Sequence, residues 1–107
     1  MSFSITPQDL KARLDKGDKL VLLDVREPHE HSLAKIDGSI LIPLGTLPQS
    51  LDSLDRGAEI VAYCHLGMRS ADAVGFLAQQ GFQNVKNLVG GIDAWSLRVD
   101  PSVPRYR

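Results

Sequence analysis

Two short segments constrain this chain most: Leu20-Val21-Leu22-Leu23, which leads into Asp24-Val25-Arg26, and Ala58 to Tyr63, which leads into Cys64. The first is apolar without alternation, and the second reads as another buried strand. A strand with one wet face alternates polar and apolar residues, whereas one covered on both faces does not. Covering both faces calls for helices above and below, joined through crossovers, and hence for a parallel sheet.

The segments between these runs supply such helices. Thr6 can cap a helix whose first position suits Pro7, Ile5 and Leu10 are spaced as a hydrophobic staple, and Gly17 offers a left-handed stop. A short helix is expected around His31 to Lys35, and Gly38 to Pro43 reads as a second short strand. Leu47, Leu51 and Leu54 make a weak helical pattern. Arg69 to Gln80 suits a helix stopped by Gly81, Val85 to Leu88 a final strand, and Gly91 to Leu97 a small helix containing Trp95. Strands interleaved with helices predict an α/β fold, one domain over residues 1–107, with a mostly parallel sheet and helices on both faces. The tail from Asp100 to Arg107 is expected to be irregular and to lie over the surface.

The formal net charge of −1 gives no global field to draw the chain to nucleic acid or an anionic membrane. The scattered Lys and Arg likewise argue against a nucleic-acid patch. No apolar stretch approaches the ~20 residues that span a bilayer, and Met1 to Thr6 show no signal-peptide pattern, so a cytoplasmic protein is expected. With Cys64 the sole cysteine, no intramolecular disulfide can form.

The chemistry concentrates in Cys64-His65-Leu66-Gly67-Met68-Arg69-Ser70, between a buried strand and a helix. Open α/β sheets bind their ligands at the carboxyl edge of the strands. A short glycine-containing turn there can point successive backbone N–H groups inward, and the helix that follows adds its positive end. Such a turn favours a thiolate, the reactive form, and Arg69 adds a permanent cation. A lone cysteine ending an apolar strand is ordinarily a small buried hydrophobe. The strand, loop and helix around Cys64, with Gly67 and Arg69 inside the loop, favour a nucleophile instead.

Four segments in order resemble the rhodanese homology family. These are Leu23-Asp24-Val25-Arg26-Glu27 with Glu30 following, Ile36 to Pro43, Cys64 to Ser70, and Gly90-Gly91-Ile92-Asp93-Ala94-Trp95. The resemblance implies a five-stranded parallel sheet flanked by helices. It also implies a sulfurtransferase in which Cys64 accepts sulfane sulfur from thiosulfate or a similar anionic donor. His65, Leu66, Gly67, Met68, Arg69 and Ser70 would form the cradle, and cyanide or an external thiol, including that of a thioredoxin-like or sulfur-acceptor protein, would remove the sulfur. A relay module serving one protein partner, with little turnover on small molecules, is the rival. Related cysteine phosphatases space cysteine and arginine one residue further apart than Cys64 and Arg69, which disfavours a phosphatase or arsenate reductase. The chain departs from the family in having Ala34-Lys35 before Ile36, and in a loop whose Leu66 and Met68 leave Arg69 the one permanent cation.

Asp24, Arg26 and Glu30 are expected to be structural support, with Arg26 bridging Glu30 or Asp24. His29 and His31 are expected to be solvated, and no ligand cluster implies a metal or organic cofactor. His65 faces either donor or solvent, and Trp95 belongs to the core.

Overall fold

The computed structural model describes residues 3–107, so Met1 and Ser2 lie outside it. Five strands, β1 (Ser4–Ile5), β2 (Val21–Asp24), β3 (Ile40–Leu41), β4 (Glu59–Tyr63) and β5 (Asn84–Leu88), form one sheet in the order β1-β5-β4-β2-β3. Every pairing is parallel. The sequence reading finds four of these strands. β1 escapes it because two residues carry no periodicity, yet they pair with Asn87 and Leu88 on the sheet edge.

Central β4 sends alternate residues to opposite faces. Ile60, Ala62 and Cys64 join a core with Leu23, Val25, Ala73, Val74 and Leu77, under α3 (Met68–Gln79) and a 3-10 helix (Leu44–Ser53). Val61 and Tyr63 join Leu10, Leu88, Ile92 and Trp95 on the other face, under α1 (Pro7–Asp15) and α4 (Gly91–Arg98). Cys64 therefore directly follows the last residue of a buried strand, and its side chain points toward the start of α3.

Local signals explain the helix boundaries. The Thr6 hydroxyl accepts from the Asp9 N–H at 3.1 Å, Pro7 opens α1, and Gly17 follows its end at φ +80°. The expected helix near His31 begins earlier: α2 (Pro28–Leu33) is set by a capping box between Glu27 and Glu30, with Pro28 at its first position. The weak pattern at Leu47, Leu51 and Leu54 becomes a 3-10 helix, with Pro48 inside it, not an α-helix. The tail is irregular as expected, but it does not merely lie over the surface. Val103 is buried in the core and Tyr106 is half-buried with its ring stacked on His65.

Candidate active site

Three donors converge on the Cys64 sulfur. The Gly67 N–H reaches Sγ at 3.1 Å, the Ser70 N–H at 3.4 Å and the Ser70 hydroxyl at 3.3 Å. Gly67 achieves this as the cap of α3, at φ +109°, a left-handed conformation costly for residues with a Cβ. Ser70 follows in the first turn of α3, where N–H groups have no intrahelical partner and are free to face an anion.

The loop is fastened from behind. The α4 N–H groups of Ile92 and Asp93 donate to the carbonyls of Cys64 (2.9 Å) and His65 (3.1 Å). A Cβ on Gly91 would stand 2.4 Å from the His65 carbonyl oxygen and 2.6 Å from that of Cys64. This close approach explains the glycine at position 91, the first residue of α4. On the adjacent strand, the Asn87 amide donates to the Gly67 carbonyl at 3.1 Å, and its oxygen accepts from the Ser70 hydroxyl. The single Ser70 proton serves Asn87 or the sulfur, not both at once.

A pocket of about 290 Å³ opens above the sulfur, lined by Cys64, His65, Leu66, Met68 and Arg69. Leu66 and Met68 are 59% and 79% exposed, so the loop presents an apolar rim. Arg69 is bound to Glu30 through two hydrogen bonds, Nη1 to Oε1 at 2.7 Å and Nη2 to Oε2 at 2.9 Å. The guanidinium, with a hydrogen bond from Tyr106, holds the Glu30 carboxyl well below its usual range, at about 2, against the opposing effect of burial.

The signature residues thus divide into two linked pairs. Fully buried Arg26 grips Asp24, Nε to Oδ1 at 2.8 Å and Nη2 to Oδ2 at 2.7 Å, and also donates to the Ala34 carbonyl. Of the two partners expected for Arg26 the structure selects Asp24; Glu30 goes to Arg69. His29 is exposed, but His31 is not simply solvated, because its Nδ1 lies 2.8 Å from Asp24 Oδ2. The residue that joins the pairs is Tyr106. Its hydroxyl accepts from Arg26 Nη1 at 2.7 Å and donates to Glu30 Oε2 at 2.7 Å, while its ring stacks on His65 at 4.1 Å between centroids. Neither Tyr106 nor Asn87 stands out in the sequence. Asn87 offers one faint signal, a polar residue near the carboxyl end of a strand, at the same sheet edge as Cys64.

A parallel sheet with its one cysteine held by amide and hydroxyl donors at the carboxyl edge of the central strand defines an α/β domain built around a single donor-lined thiol. Comparison with known proteins gives the particular family: residues 6–98 match the rhodanese-like domain, and the chain belongs to that family. A rhodanese-like domain protein from Staphylococcus aureus superimposes with a TM-score of 0.85 at 31% identity, each chain covered completely (100%). A sulfurtransferase from Allochromatium vinosum is 34% identical over 92 residues, 86% of each chain. The adenylyltransferase and sulfurtransferase MOCS3-2 of Zea mays is 38% identical over 112 residues, 98% of this chain. The chain spans 23% of that maize protein and 27% of MoeZ from Mycobacterium tuberculosis. The fold is the five-stranded one that the sequence resemblance implies, and relatives named sulfurtransferases place the chain in a sulfur-transfer family. Among the described residues no helix is long and apolar enough to cross a membrane.

Proposed function

We propose that the chain is a sulfurtransferase working through a Cys64 persulfide. The observation that carries this reading is the convergence of the Gly67 N–H, the Ser70 N–H and the Ser70 hydroxyl on one sulfur beneath an open pocket. A buried thiolate needs donors to replace water, and fixed backbone amides stabilise it without reorganising during the reaction.

The cycle has two displacements. The Cys64 thiolate attacks the outer sulfur of a sulfane donor such as thiosulfate. The donor's S–S bond breaks, sulfite leaves with the bonding pair, and Cys64 becomes a persulfide. An external thiolate or cyanide then attacks the terminal sulfur, and Cys64 leaves as thiolate. With no second cysteine in the chain, no internal thiol can take the sulfur. Asp24, Arg26 and Glu30 brace the loop, and no step calls on a metal or organic cofactor. The work belongs to the cytoplasm, where external thiols are kept reduced.

Transfer to one protein thiol is the second reading, favoured by the exposed Leu66 and Met68 around the pocket. Initial rates of thiosulfate-to-cyanide transfer, read as thiocyanate, test the first. Parallel double-reciprocal lines and complete loss in Cys64→Ser are expected. Turnover that survives in Cys64→Ser would refute the persulfide, and fast loading with negligible discharge to cyanide or glutathione would favour the relay.

A further inference from the structure

The loop's one cation is already matched when a donor arrives. Arg69 spends both terminal nitrogens on Glu30, whose carboxylate accepts two further bonds, from the Glu27 N–H at 3.2 Å and from Tyr106 at 2.7 Å. Glu30 is only 7% exposed, so it cannot swing away into solvent without abandoning those donors. It stays ionised wherever a thiolate reacts, since its carboxyl titrates at about 2. The neighbouring charges are matched too: Arg26 by Asp24 behind the loop, and Arg105 by Asp93 beside His65. The pocket walls add Leu66 and Met68, which carry no charge, and His65, whose ring stacks on Tyr106.

A donor above Cys64 therefore meets a dipole and a set of N–H groups, not a net positive site. We propose that Glu30 is the donor-selecting residue: by cancelling the charge of Arg69 at the pocket, it makes the site discriminate against dianionic sulfane donors in favour of donors of lower charge. This rests on the sulfur-transfer reading above and specifies its substrate class. The chemistry is unchanged between donor classes. Thiosulfate yields the Cys64 persulfide and sulfite, while methanethiosulfonate, a monoanion, yields the same persulfide and methanesulfinate. The two donors differ in one unit of charge, and the Coulomb effect of a nearby fixed charge scales with that unit.

The test is single-turnover loading of the full chain with thiosulfate and with methanethiosulfonate, read as added sulfur mass, in wild type, Glu30→Gln, Arg69→Met and the double variant. Glu30→Gln should raise the thiosulfate-to-methanethiosulfonate rate ratio by about three- to tenfold. Arg69→Met should lower it by a similar factor, and the double variant should return to within about twofold of wild type, since the net charge is restored. An unchanged ratio in Glu30→Gln, with both rates falling together, would show that Glu30 only orders the loop and would overturn the proposal. Should Glu30→Gln fold poorly, wild type alone decides through salt. With Arg69 cancelled and Cys64 reacting as thiolate, thiosulfate loading should not fall between low salt and about 0.5 M, and a tenfold fall would reveal an uncancelled cation. Failure of both donors to load wild-type Cys64 would refute the sulfur-transfer reading, and this proposal with it.

Discussion

Gly91 sets how closely the last helix approaches the Cys64 loop. Its φ of +64° and the 2.4 Å that would separate a Cβ from the His65 carbonyl leave no room for a side chain. Gly91→Ala should cost about 2 kcal/mol or more in stability, and slow sulfur loading beyond what that loss explains, because α4 would withdraw its N–H groups from the Cys64 and His65 carbonyls. Denaturant melts beside loading kinetics check this, and an unaffected loading rate would separate α4 from the active loop. Glu30 carries a second prediction. Its folded-state pKa of about 2 lies below the ordinary 4.5, so its stabilisation is fully present above pH 4.5 and is lost as pH falls from there through about 2. At most roughly 3 kcal/mol should disappear across that window, and the Glu30→Gln acid-unfolding curve should be correspondingly flatter. Identical curves would deny the Arg69–Glu30 pair that role.

The C-terminal tail acts as a strap that the sequence does not advertise. Capping and periodicity mark α1 and α3 plainly, because Thr6, Pro7, Gly17 and Gly81 are local signals acting over one turn. Tyr106 has no such signal: it meets Arg26 and Glu30 from 80 and 76 residues away, and only the folded sheet brings them together. The same holds for Asn87 and Gly67, which sit on different elements 20 residues apart. Two substitutions separate the strap's polar and stacking contributions. Tyr106→Phe keeps the ring but leaves buried Arg26 Nη1 without its partner, and should cost about 1–3 kcal/mol. Tyr106→Ala should add the loss of the His65 stack, worth about 0.5–1.5 kcal/mol. Imidazole proton shifts report the stack directly: the ring-current shift of His65 should persist in the Phe variant and vanish in the Ala variant. Persistence in both would mean that Tyr106 does not cover His65 in solution.

The molecule as a whole pins its Cys64 loop between two cores divided by the sheet. The division follows from alternation along β4, so it was legible in the buried strands, as was the position of Cys64 at the end of one of them. What the sequence could not show was which charges pair, because Arg26 and Arg69 each have several carboxylates within plausible reach and only the packed fold selects among them. Leu77 on α3 is fully buried in the core that also holds Cys64. Leu77→Ala should cost about 2–5 kcal/mol in denaturant melts. The central claim, that Cys64 carries sulfur, is tested most directly by intact mass. After incubation with thiosulfate or methanethiosulfonate the wild-type chain should gain one sulfur, ~32 Da, lose it to cyanide or excess thiol, and gain nothing as Cys64→Ser. No adduct on the wild type with either donor, or an equal adduct on the serine variant, would contradict it.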